Sequence, residues 1–190
     1  MALYFSAMKL KNGISVSSAS ISSIETLQAN SAAGVKFTLD TNDIAALGTG
    51  QIVGDSTGID TLILKSGSID MSTLNLTDID IIKTGLATAT TFTVAQANVT
   101  ALGANGQIQG ASGVDTLITN DTELDVSSTV LSSIEILRAG NAADTVFTLN
   151  QGDVASGGTV KGSSGNDTII AADTQLNLSS MSLSSVEILQ

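Results

Sequence analysis

Phe37, Phe92 and Phe147 stand 55 residues apart twice over, each opening a Phe-Thr-Leu or Phe-Thr-Val triplet. Ile24-Glu25-Thr26-Leu27 returns at the same spacing as Ile79-Asp80-Ile81-Ile82 and Ile134-Glu135-Ile136-Leu137, then 52 residues later as Val186-Glu187-Ile188-Leu189. This period constrains the fold more than any other feature. A unit so small buries its apolar face only against its neighbours, as in a solenoid or array. No linker or shift of composition breaks the repeat. It therefore predicts one elongated body over residues 14–190, with residues 1–13 as an N-terminal cap or assembly segment.

Within a unit, short apolar bursts alternate with Gly, Asn, Asp and Ser. In the second unit they are residues 79–82, 91–94, 107–109, 116–119 and 123–126. Phe92-Thr93-Val94 and Leu124-Asp125-Val126 put every second side chain on one face, the period of a strand. Bursts this short, divided by turn residues, read as strands of about four residues. No stretch carries a helical stripe of useful length. Residues 43–47 are short enough for one turn, with Asn42 or Asp43 as its cap.

Five or six strands in 55 residues are too many for one coil. The reading is an all-β, right-handed parallel β-solenoid with about two coils per repeat. Leu27, Phe37, Leu62, Ile82, Phe92, Leu117, Leu137, Phe147, Ile169 and Leu189 point inward. The distance from Phe to the next repeated Asp is 23 residues in the first two units and 20 in the third, which assigns the Gly-rich stretch between them to a loop. The acids Glu25, Asp80, Glu135 and Glu187 are expected to stack down one outer face, two coils apart.

Composition narrows the chemistry. With 18 acidic and 7 basic residues the net charge is −11, which removes the clustered cations that nucleic acid and anionic membranes require. There is no His and no Cys, so nucleophilic triads in their usual forms are absent. Tyr4 is the single tyrosine, and Lys9, Lys11, Lys36, Lys65, Lys83, Arg138 and Lys161 are scattered, unlike a sugar-binding groove. No enzyme and no required cofactor are expected. No apolar run approaches the ~20 residues of a membrane span. The start of the chain has neither the basic region nor the cleavage site of a secretory signal peptide.

One motif carries chemistry. Gly162-Ser163-Ser164-Gly165-Asn166-Asp167-Thr168-Ile169-Ile170 fits the calcium nonapeptide G-G-x-G-x-D-x-U-x except at the second glycine, and residues 110–118 fit equally well. Residues 54–62 are the same motif with one residue added between the glycines. Through these segments the chain resembles the RTX-like, β-strand-repeat surface proteins that bacteria export by type I secretion, both S-layer and adhesin types. The resemblance implies an extracellular or cell-surface location without a cleaved N-terminal signal. It implies calcium as a ligand near Asp60, Asp115 and Asp167, and cell-surface polysaccharide as an adhesin's partner. In that family the nonapeptides run in tandem and adjacent turns share each ion. Here the motif occurs once per repeat, leaving each site half its usual oxygens against the 6–8 that calcium takes. Binding should be weak, and Asp115→Ala should spare the metal-free fold.

Residues 14–27 match residues 176–189 at an offset of 162, three periods on. The match brings both ends of the solenoid to the same phase, and an open strand edge templates association. The reading is a secreted, non-catalytic structural protein whose copies add head to tail into a filament or surface layer. Leu3, Tyr4, Phe5, Met8, Val186 and Ile188 would form the junction. The alternative is a calcium-binding adhesin module of a larger protein.

Overall fold

The computed structural model describes Met8–Leu10 and residues 21–190. Every strand pairing in it is parallel, and the strands form four sheets. The chain is a β-solenoid with three faces. The first face stacks Met8–Leu10, Thr26–Ala29, Gln51–Val53 and Asn75–Thr77. The second stacks Lys36–Leu39, Thr61–Leu64, Ile81–Thr84, Gln107–Gln109 and Val130–Ser132. The third runs Ser68–Asp70, Thr91–Val94, Thr116–Thr119, Ile136–Ala139, Thr159–Lys161 and Ser182–Ser184.

The fourth sheet, Glu123–Asp125, Val146–Leu149, Thr168–Ala171 and Ile188–Leu189, continues the first face beyond a helix. That helix, α2 (Gln96–Thr100), bridges the two sheets. Asn98 Nδ2 donates to Leu74 O at 2.8 Å on one side, and Gln96 Oε1 accepts from Asp125 N at 2.8 Å on the other. The other faces have equivalent slots. On the third face α1 (Thr41–Leu47) lies against the Ser68 strand, Thr41 donating to Ser66 Oγ and Ser68 O. On the second, residues 150–154 turn between Ser127 and Asn177, with Asn150 Nδ2 on Ser127 O and Asn177 N on Gln151 Oε1.

The slots show why a helix turn forms in two repeats and not in the third. Asp40 caps α1 by accepting Asn42 N–H and Asp43 N–H, and Asp43 Oδ2 accepts Asp40 N–H in return, a reciprocal capping box. The cap is therefore Asp40, two and three residues before the Asn42 and Asp43 expected. Ala95 cannot cap α2, so the first N–H groups go to Asn98 Oδ1 and to Asp121 Oδ2 of the next coil. Asn150 and Asp153 repeat the first of these bonds, but the third repeat is three residues shorter just afterwards, and the segment stays a turn.

Counting a slot as one strand position, a 55-residue unit holds seven positions on three faces, or two and a third coils. Each repeat therefore advances by one face. Leu27 lies on the first, Ile82 on the second, Leu137 on the third and Leu189 on the first again. Three repeats make seven coils, about 34 Å of stack at ~4.8 Å each.

Inside, like stacks on like. Phe37 registers with Leu62 and Leu62 with Ile82, while Ile69 registers with Phe92 and Phe92 with Leu117. Three of the four phenylalanines, Phe37, Phe92 and Phe147, are fully enclosed on three different faces. Burying such a ring contributes ~1.5–3 kcal/mol. Of the ten inward positions expected, nine are at most 1% exposed, and Leu189 is 59% exposed, with no coil among the described residues covering it. A strand missed by the sequence reading recurs at Asn75–Thr77, Val130–Ser132 and Ser182–Ser184. Each has one central apolar side chain, Leu76, Leu131 or Leu183, and only Val130 adds a second, too little to show as a burst.

Candidate functional site: the Gly-Asp corners

Each nonapeptide-like segment forms a corner leading into a strand, and the three corners are built alike. Asp60, Asp115 and Asp167 are fully buried. The Asp115 Oδ2 accepts Ala111 N–H at 2.8 Å within its own turn, and Oδ1 accepts Thr90 N–H at 2.6 Å from the coil before. The Asp167 carboxylate does the same with Ser163 N–H and Thr145 N–H, and the Asp60 carboxylate with Asp55 N–H and Val35 N–H. Each aspartate also reaches the coil after. The N–H groups of Asp60, Asp115 and Asp167 donate to Asp80 Oδ2, Glu135 Oε2 and Glu187 Oε2 at 2.7, 2.8 and 2.8 Å. Their carbonyls accept two N–H groups each, those of Asp80 and Ile81, Glu135 and Ile136, and Glu187 and Ile188. One residue thus ties three successive coils.

The glycines serve the same close stacking. A Cβ on Gly110 would clash with the carbonyl oxygen of Ser133 in the next coil, and one on Gly113 with the Ala89 backbone in the coil before. Gly113 also has φ of 109°, outside the range of L side chains. The carbonyl that presses on the first glycine of each motif belongs to a left-handed residue, Asp78, Ser133 or Ser185, each with φ of 51°. Ser and Asp tolerate this conformation better than bulkier residues do. The residue after the motif's Asp-Thr enters the core as expected: Leu62, Leu117 and Ile169 are buried.

The rotation of the repeat decides which acids meet. Asp60 precedes a strand of the second face, Asp115 one of the third and Asp167 one of the fourth sheet. The three carboxylates sit on three different edges of the solenoid and do not approach one another. Glu25, Asp80, Glu135 and Glu187 likewise do not form one column, contrary to the stacking expected from a two-coil repeat. Asp80, Glu135 and Glu187 each face the buried aspartate twenty residues earlier, and this pairing went unseen in the sequence. The signal was present, since each pair keeps the same 20-residue spacing, one short coil. Among the described residues no group of three or more acidic side chains is placed to hold a metal ion. As the oxygens of Asp60, Asp115 and Asp167 already bind backbone N–H groups, truncating one should weaken the metal-free fold. This corrects the expectation that Asp115→Ala would spare it.

The junction residues divide. Leu3, Tyr4 and Phe5 lie outside the described residues. Met8 lies on the strand that pairs with Thr26–Ala29, in register with Leu27, and so belongs to the first face of the stack. At the other end Val186 is half-buried against the core, while Leu183, Ile188 and Leu189 are 38, 40 and 59% exposed. The N–H groups of Ile188 and Gln190 turn back to Asp167 O and Ile169 O. By the alternation of a parallel strand, Leu189 turns its N–H and C=O outward along the stack.

The fold and corners define a class: a short-coil β-solenoid of rotating repeats, stitched by buried aspartates. Compared with protein-family models, curated proteins and solved structures, the chain matches none.

Proposed function

We propose that the chain is a non-catalytic structural element of a bacterial surface, stacking head to tail with copies of itself into a filament or layer. The observation that carries this reading is the phase of the repeat, by which the coil of Ile188–Leu189 is equivalent to that of Thr26–Ala29. Leu189 is 59% exposed, whereas Leu27, Ile82 and Leu137, its equivalents, are at most 1% exposed. The carbonyl of Glu135 accepts Thr159 N–H from the coil above it, and that of Glu187 stands in the same position with no coil above it among the described residues. Phase favours a second copy as the neighbour, because seven coils bring the chain back to the face where Thr26–Ala29 lies. A calcium-binding adhesin module remains the competing reading, and calcium dependence separates the two.

Sedimentation velocity over a range of concentration, with and without chelator, tests the proposal. Species should grow with concentration in both conditions. Leu189→Pro removes the outward N–H without touching a bond inside the chain, so it should give monomers of unchanged β signal. Proline at Ile188 would instead cost the bond to Asp167 O. A wild-type chain that stays monomeric throughout, or associates only with calcium, overturns the proposal.

A further inference from the structure

The slots that interrupt the three faces share one buried polar position. Asp43, Asn98 and Asp153 stand 55 residues apart and are 2, 1 and 3% exposed. Each accepts the N–H three residues earlier, from Asp40, Ala95 and Asn150 respectively. Asn98 also donates, its Nδ2 lying 2.8 Å from Leu74 O in the coil before. At Asp153 an acid takes the place of that amide. The residue one repeat on from Leu74 is Thr129, and Thr129 and Asp153 line one cavity of about 120 Å³ together with Asn150 and Gly152.

Asp153 Oδ2 holds the Asn150 N–H at 2.7 Å. The charged groups that face the carboxyl are Asp125, from the coil before, and Asp173, from the coil after; both are acidic. Asp173 is itself engaged by Gln151 N–H, and Asp125 by Ser127 N–H and Oγ. An ionised Asp153 would be a buried charge between like charges. The neutral acid has an O–H and can make the bond that the Asn98 amide makes one repeat earlier.

We propose that Asp153 is a proton-dependent clamp between coils: its acid form donates to Thr129 O, and ionisation releases that contact. Burial pushes the carboxyl up to about 7; the Asn150 N–H opposes this, and Asp173 and then Asp125 add to it. Since the folded chain holds the proton above the ordinary carboxylate range, the clamp's stabilisation is complete below about pH 4 and is lost as pH rises through about 7. The clamp sits between the coils that carry Val130–Ser132 and Asn177, close to the end where the proposed junction forms, and its test does not depend on that junction.

The absence of His and Cys makes the experiment clean, because the α-amino group is the other ordinary titrant between pH 5.5 and 8.5. Thermal unfolding of the full chain is followed across that range for wild type, Asp153→Asn and Asn98→Asp. Wild type should lose roughly 5 °C in midpoint from the acidic to the alkaline end. Asp153→Asn should be nearly flat, and Asn98→Asp should fall more steeply than wild type. Should either variant fail to fold, the carboxyl ¹³C shift of Asp153 in wild type reads the same titration. A wild-type midpoint below pH 5 in that signal, or equal slopes in wild type and Asp153→Asn, overturns the proposal.

Discussion

Removing one corner carboxylate measures what holds adjacent coils together. In Asp115→Ala the N–H of Thr90, itself 1% exposed, loses its acceptor away from the surface, whereas Ala111 is exposed and its N–H is rehydrated. A buried orphan donor costs about 1–3 kcal/mol, and a bond to a charged acceptor contributes about 1.5–3. Discounting the exposed side, the expected loss is about 3 kcal/mol, all without metal. A solenoid opens locally, so amide exchange in chelator is the better assay. At ~1.4 kcal/mol per tenfold, protection of Thr90 and its neighbours should fall roughly 100-fold. The corners at Asp60 and Asp167, on other edges, should keep theirs. If Asp115→Ala leaves exchange unchanged in chelator but abolishes a calcium-induced stabilisation of wild type, the carboxylate serves an ion and the reasoning fails.

Two other perturbations separate stacking from packing. Gly110→Ala sets a methyl group against the Ser133 carbonyl, so it should destabilise the chain by more than the helix or strand propensities of the two residues would suggest, whereas Gly103→Ala, with open space around it but φ of 73°, should cost only backbone strain; equilibrium denaturation of the pair checks the contrast. Phe92→Ala should cost about 3–5 kcal/mol by opening a cavity against Ile69 and Leu117, read as a lowered denaturation midpoint with unchanged far-ultraviolet circular dichroism of the remaining folded chain.

The period, the strand character of the bursts and the inward direction of Phe37, Phe92 and Phe147 are determined by the sequence itself. They rest on local alternation and on apolar side chains too large to leave in water. The corners were half legible. Gly110, Gly113 and Asp115 announce a tight turn, but their spacing is equally that of a cation site, and only the stacking of coils shows which donors the carboxylate meets. The phase of the repeat was not legible at all. A 55-residue unit does not state how many residues each corner consumes, and two coils fit the count of bursts nearly as well as two and a third. Closure of the parallel hydrogen bonds between coils decides the number. With it comes the rotation that sends Asp60, Asp115 and Asp167 to separate edges and leaves Asp153 facing carboxylates from the coils on either side.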